Sequence, residues 1–472
     1  MAIERTSKDP DVILLILDSV RADHLSCYGY HRPTSPHLDH FASQATIFEN
    51  AFANSSWSLP SHASMFTGLY PDHHGLYDHG VSWESSAATL PQKLRSANYE
   101  TACVTANPWI KQGGLDSGFE SLWEIGTEGG SSWPIETVNK YLGKLKRALF
   151  LTGGESRKAL RIGKEFIEGY TGAKPLFLFM NFMEAHHPYL PPRPYHSKFN
   201  PHPLRSYLRI KDLAIRTYRE GKASDALFKD AIDLYNAEIC YLDTLIDDFL
   251  KALKAQNMFQ DSLIIVTSDH GEQFGKHSIN GKRLMGHEFS LYDALLRVPL
   301  IVKYPSQTNQ VVSETPVELV DILPTVMAQL NSDKEGEESY DGKVLARGTV
   351  DMAGRKLWAE YRPSQIQMNK LKRILSENGE EDEIEKFDVR LRSIRKNQFK
   401  LIFDQKTMDA QLFDTAADPE EQNDLSTRLP QKVEELRDEL GPCPLWLRDS
   451  SSSNKRVKQE EVKNRLQDLG YL

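Results

Sequence analysis

Cysteine is scarce in this sequence. Four occur in 472 residues, Cys27, Cys103, Cys240 and Cys443, with no pair at CxxC spacing. That excludes a disulfide-stapled scaffold and a structural zinc knuckle, and points to free or buried thiols in a reducing compartment. No stretch approaches the roughly 18 apolar residues of a membrane span. The first apolar run, Val12–Leu17, is too short for a signal-peptide core. A cytoplasmic protein without a membrane partner is therefore expected. Positive charge is not in excess: 57 Lys and Arg against 66 Asp and Glu give a net charge of −9. That argues against a nucleic-acid binder with an all-basic surface. Neither GxGxxG nor GxxxxGK[ST] occurs, so dinucleotide binding and P-loop phosphate transfer have no support.

What the chain does have is length and an ordinary apolar content of 40%, enough for a large core. Three short apolar runs, Val12–Leu17, Leu176–Phe182 and Leu263–Thr267, are continuous rather than alternating. Such runs suit strands covered on both faces. A fourth, Val298–Val302, carries Pro299 near its start, which suits the beginning of a strand or a sheet edge. Helical spacing over Asp225–Lys254 and a proline-led helix over Leu90–Ser96 fall between the runs. Strands alternating with helices predict an α/β fold around a mainly parallel sheet. After about residue 330 the pattern changes. Lys356–Tyr361, the alternating Val389–Arg395, Phe399–Phe403 and a helix at Gln431–Leu440 predict a smaller α+β domain with an antiparallel sheet. The boundaries drawn are 1–345 and 346–472. Glutamate-rich Ser376–Glu385 and serine-rich Asp449–Lys455 read as loops.

Asp18 and the pair Asp269-His270 stand just past the C-terminal ends of two predicted core strands. In a parallel sheet those ends share one edge, where ligands bind. Two carboxylates and an imidazole suit a divalent cation there. Taken alone, an aspartate after a strand is as readily a helix cap or a turn residue. Ser58 precedes Pro60, which fits the first turn of a helix ending at Gly68. Unpaired N–H groups and the positive dipole end would favour an oxyanion at Ser58, and a cation would make its hydroxyl a nucleophile. An ordinary capping serine fits the same pattern. Of 15 histidines, His186 follows a core strand and His287 precedes Val298. Either could bond an anionic oxygen or protonate a leaving group.

These clusters, in their order, resemble the sulfatase family of the alkaline-phosphatase-like superfamily over nearly the whole length. The resemblance runs through Leu17-Asp18-Ser19 to Tyr28-Gly29, Ser58-Leu59-Pro60-Ser61-His62, His186-His187-Pro188-Tyr189, Ser268-Asp269-His270-Gly271-Glu272, Arg297-Val298-Pro299-Leu300 and Asp418-Pro419-Glu420-Glu421-Gln422-Asn423. It implies an α/β/α sandwich and a metal-dependent hydrolase of anionic esters, with sulfate esters as the leading substrate. Phosphomonoesters, phosphodiesters and phosphonate esters are the alternative on the same scaffold. It implies Asp18, Asp269, His270 and Ser58 as ligands of one divalent ion. Ser58 falls at the nucleophile of the Cys/Ser-x-Pro-x-Arg motif, where formylglycine forms, and His186 falls where a histidine meets the anionic group or leaving oxygen.

Four departures qualify this. His62 replaces the motif arginine, which argues against formylglycine and for Ser58 as an unmodified alkoxide. Ser19 replaces a second metal-binding aspartate. His270 replaces an asparagine common in calcium sulfatases, which shifts the expected ion from Ca²⁺ towards Mn²⁺ or Zn²⁺. The Gly-Lys-Trp-His stretch is missing, so Asn107 takes part of its role, and His287, or less readily Lys282, replaces a later lysine. His62, Asn107 and Lys282 are thus the expected substrate-binding residues, beside the catalytic Ser58, His186 and His287. The expected partner is a small-molecule or glycan anionic ester, read by Gly113–Trp133, Tyr195–Lys222 and the C-terminal domain. Assembly into a homo-oligomer stays open.

Overall fold

The computed structural model describes residues 9–78, 87–126, 154–211, 213, 217, 223–279, 281–330, 340–347, 354–376, 379 and 381–442. Its centre is an eight-stranded sheet. Across it the strands run Val311–Ser313, Thr46–Phe48, Leu300–Lys303, Leu263–Thr267, Val12–Leu17, Leu176–Phe182, Glu100–Thr105 and Ser121–Glu124. Only Leu300–Lys303 opposes the rest. The three runs read as core strands are the middle of this sheet, and every residue in them is buried.

Burial on both faces is visible in one strand. Phe179 meets the rings of His62 and Phe66 from helix Ser58–Thr67. Its neighbour Met180 points the other way, where Gly163 of helix Ser156–Gly169 leaves room for it. Successive side chains on a strand alternate, so helices cover both faces. The 31-residue helix Asp225–Ala255 packs beside Ser156–Gly169 on one side. Leu90–Ser96 and Ile322–Met327 join Ser58–Thr67 on the other. This is the α/β/α sandwich expected.

A four-stranded antiparallel sheet, Lys356–Tyr361, Leu391–Lys396, Phe399–Asp404 and Ala410–Asp414, forms the smaller C-terminal unit. Alternation divides its faces: Leu401 and Phe403 pack with Leu436 and Leu440 of helix Pro430–Leu440, while Ile402 joins the main core.

One expectation is resolved and two are corrected. Pro299 marks the beginning of a strand and not a sheet edge. It separates Arg297–Val298, paired with Ala51–Phe52, from Leu300–Lys303 inside the main sheet, because a residue without an N–H splits the run. Gly113–Trp133 is not all loop, since Ser121–Glu124 closes the sheet. Ser376–Glu385 runs from the end of helix Gln365–Ser376 into a 3₁₀ helix at Glu381–Phe387. Asp449–Lys455 and Cys443 lie outside the described residues.

Candidate active site

Parallel pairing of Val12–Leu17 with Leu263–Thr267 carries Asp18 and Asp269-His270 to the same edge. One ligand atom from each of the three lies within 4.8 Å of the others, and all three are buried. Among the described residues no other such group of three occurs. Ser58 opens a helix whose ten residues are all buried, with Gly68 in the left-handed conformation (φ 68°) ending it. The Ser58 hydroxyl sits 3.2 Å from His270 Nε2. His270 donates from Nδ1 to the Gly271 carbonyl at 2.9 Å, which leaves the Nε2 lone pair facing the cluster. Ser61, one turn into the helix, anchors it by donating to the Asp269 carbonyl at 2.6 Å.

The carboxylates are held from behind. Asp18 accepts from Asn107 at 2.8 Å, from Asn181 at 3.3 Å and from the Ser19 hydroxyl at 3.1 Å. Ser19, at φ 62°, also turns its N–H to Asp269 Oδ1 at 3.3 Å. The serine in place of a third aspartate thus orients the two carboxylates. Burial and the charge of Asp269 push Asp18 up to about 7. Burial would raise Asp269 as well, but His270 and then His62 hold it below the usual carboxylate range. Asp269 Oδ2 is buried with no hydrogen bond. Two carboxylates crowded in a dry site, one oxygen bare, and an imidazole lone pair beside them fit a divalent cation. Asp18, Asp269 and His270 would hold it, with the Ser58 hydroxyl within reach.

The other expected residues divide. His186 and His287 are brought in: the His287 ring lies 4.4 Å from that of His270 and 5.0 Å from that of His186. His186 donates from Nδ1 to the His187 carbonyl at 2.7 Å. Burial pushes His186 down to about 3 and keeps His287 well below its ordinary value. Asn107 joins the cluster through Asp18. His62 is fully buried one turn below Ser58, its Nδ1 2.8 Å from the Ser58 carbonyl and 3.7 Å from Asp269 Oδ2. Lys282 is not brought in. It begins the strand Lys282–Gly286 and pairs with Ile279, so His287 follows at the far end, roughly 16 Å away at about 3.3 Å per residue. The sequence reading passed over Asn181, although a lone polar residue near the end of Leu-Phe-Leu-Phe-Met-Asn-Phe was the signal for it.

The family model for Sulfatase matches residues 10–332, which span the main sheet and every residue of this cluster. The chain belongs to the sulfatase family. It is an ester hydrolase of the alkaline-phosphatase-like superfamily. The multifunctional alkaline phosphatase superfamily protein PehA of Trinickia caryophylli is 27% identical over 71% of this chain and 76% of its own length. The arylsulfatase of Clostridium perfringens is 25% identical over 67% and 74%. The phosphonate monoester hydrolase of Agrobacterium radiobacter shares the fold at a TM-score of 0.70 and 19% identity, over 93% of this chain and 95% of that one. Within this sulfatase-family chain the match stops short of the C-terminal antiparallel sheet, which begins at Lys356.

Proposed function

We propose that this sulfatase-family hydrolase cleaves sulfate esters with Ser58 as an unmodified nucleophile and a divalent ion of the Mn²⁺ or Zn²⁺ class at Asp18, Asp269 and His270. The observation that carries the reading is the Ser58 hydroxyl at 3.2 Å from His270 Nε2, beside two buried carboxylates. Such an ion supplies Lewis-acid stabilisation of the serine oxygen and of the ester oxygens when bound. The protein does the rest. Helix Ser58–Thr67 aims its N-terminus at the transferring group, and Pro60 fits its first turn because no intrahelical N–H bond is needed there. The Ser58 oxygen attacks sulfur and gives up its proton, the bond from sulfur to the alcohol oxygen breaks, and the serine's proton reaches that oxygen by way of the neutral imidazole of His186 or His287. Water then attacks the sulfur of the seryl sulfate and releases sulfate and free Ser58. Support for an unmodified serine comes from His62, which replaces the arginine of the modification motif and is held neutral by burial.

Phosphate and phosphonate esters are the second reading. The neutral imidazole of His62 and the Asp-Asp-His ligand set favour it, being closer to metallophosphatase chemistry than to calcium-dependent sulfate cleavage. Aryl sulfate, aryl phosphate and aryl phosphonate, assayed in parallel with Mn²⁺, Zn²⁺ and Ca²⁺, separate the two. Sulfate turnover with little phosphate turnover supports the first reading and the reverse order overturns it. Ser58→Ala is expected to lower turnover by about a thousandfold or more while the protein stays folded. An unmodified mass for the peptide spanning Ser58 is expected; a formylglycyl mass removes the serine mechanism. A cytoplasmic location belongs to the same proposal, supported by the free thiols of Cys27, Cys103 and Cys240, and cell fractionation tests it.

A further inference from the structure

Where the hairpin formed by Gln273–Ile279 and Lys282–Gly286 faces the C-terminal antiparallel sheet, the two enclose a cleft of about 350 Å³. No residue of the metal cluster lines it, nor does His186 or His287. Its size is that of a small-molecule site, and such sites favour the seams between structural units. The floor is the inner face of the sheet. Alternation puts Ile402 and Asp404 on that face, and the register sets Leu391 opposite Asp404 and Gln411 opposite Ile402. Phe289, Ser290 and Tyr292 form a wall. Phe289 stands at φ 64°, a conformation that bulky residues rarely take, and the rings of Tyr361 and Phe387 brace it at 6.3 Å and 5.3 Å.

Three polar groups of this lining keep hydrogen-bonding capacity to spare. Asp404 is only 8% exposed. Its Oδ1 takes the N–H groups of Arg390 at 3.1 Å and Lys406 at 2.9 Å, while its Oδ2 has no partner among the described residues. The buried Ser290 hydroxyl accepts from Gln273 at 2.6 Å and still has its own hydrogen to give. Gln411 Oε1 accepts from the Tyr292 hydroxyl at 3.0 Å, which leaves the Nε2 hydrogens to donate. One acceptor and two donors thus surround an apolar floor and an aromatic ring. An anion would meet the carboxylates of Asp404 and Asp409, and an organic cation would meet Lys386. An uncharged pyranose suits the cleft, with hydroxyls that both donate and accept along its edge and C–H groups on its face.

We propose that this cleft is a saccharide site that binds a neutral pyranose unit apart from the metal cluster. Binding needs no turnover, so the result is independent of the ester-hydrolase reading. Lactose, cellobiose and maltose are titrated into the full-length protein, with glucuronate and glucosamine as charged controls, and followed by saturation-transfer NMR and calorimetry. At least one neutral disaccharide is expected to bind with a Kd of about 1 mM, and the charged sugars about fivefold more weakly or worse. Gln411→Ala removes the amide donor and is expected to weaken that binding about tenfold. Ser278→Trp, at the exposed end of the hairpin, is expected to cover the cleft and abolish binding. Thermal unfolding of each variant checks its fold, and Ser278→Trp alone decides if Gln411→Ala does not fold. Binding by none of the three disaccharides overturns the proposal. So does binding left unchanged by Ser278→Trp, or charged sugars that bind as tightly as neutral ones.

Discussion

One amide sets the position of Asp18. Asn107 gives its Nδ2–H to the carboxylate at 2.8 Å and accepts the Trp109 N–H on Oδ1 at 2.9 Å, so the loop after strand Glu100–Thr105 is locked to the metal cluster. Leucine at 107 keeps the volume and removes both bonds. Outer partners of this kind are typically worth about ten- to a hundredfold in metal affinity. Asn107→Leu is therefore expected to weaken Mn²⁺ binding by that factor, measured by equilibrium dialysis, with a smaller loss of thermal stability. A second residue carries a pH signature away from the cluster. His24 is buried among the rings of Tyr30, Tyr235 and Phe274, and its Nδ1 lies 2.7 Å from Asn236 Oδ1. Burial, then the charge of Arg21, pushes it down to about 4. The unfolded chain takes up this proton near pH 6.5 and the folded one only near 4. The stabilising effect is thus complete above about pH 6.5 and is lost as pH falls through the folded value, on the order of 3 kcal/mol in all. His24→Gln keeps a donor for Asn236 and cannot titrate. Urea midpoints at pH 7.5 and pH 5 are expected to show wild type losing more stability than the variant on acidification; parallel losses would remove His24 as the cause.

The element that decides the geometry of the site is the short segment after strand Leu263–Thr267. Gly271 donates to the Leu295 carbonyl at 2.7 Å and Glu272 to that of Ala294 at 3.1 Å, so the segment lies flat against helix Asp293–Leu296. A Cβ on Gly271 would stand 2.1 Å from the Ala294 carbonyl oxygen, which is backbone and cannot swing aside. Gly271→Ala is expected to cost about 2 kcal/mol or more and to displace His270. Chemical denaturation and metal content measured on the same preparation check it: normal stability with full metal would refute the close packing. Much at this scale was legible before any coordinates. Val12–Leu17, Leu176–Phe182 and Leu263–Thr267 show as strands because both faces are covered, and Asp18, Ser58, Asp269 and His270 follow from their place at one edge and from the motifs. Thr46–Phe48 and Val311–Ser313 were not legible, being three residues each with no period to detect. Lys282 was misplaced for a physical reason. Gly281, at φ 75°, turns the chain into a hairpin, and spacing along the sequence does not survive a reversal of direction. Helix Gln365–Ser376 has a readable period, but what its inner face meets depends on tertiary packing alone.

At the scale of the whole molecule, a buried ionic lock joins the catalytic body to the C-terminal sheet. Asp293, at the start of a helix in the body, receives Arg395 and Lys400 from two neighbouring strands of that sheet. Lys400 also pairs with Glu421 at 2.7 Å, and Glu421 in turn accepts the Asp293 N–H at 2.5 Å. The lock lies near the site: Asp293 and Leu296 bound the helix on which Gly271 and Glu272 rest, next to His270. Charge balance explains why both cations are needed. With Lys400 and Arg395 present Asp293 is held below the usual carboxylate range, while burial and then Asp293 itself push Glu421 up to about 7. Lys400 is 1% exposed, so replacing it with methionine keeps the stem and leaves two buried acids facing each other with one cation between them. Breaking one partner of such a pair costs roughly 3–5 kcal/mol, whereas a surface pair costs little. Lys400→Met is expected to lose stability of that order. The double replacement Lys400→Met with Glu421→Gln should recover part of it, since the excess negative charge goes with the glutamate. A stability loss confined below about 1 kcal/mol, or no rescue in the double variant, would mean that apolar packing and not this lock joins the two units.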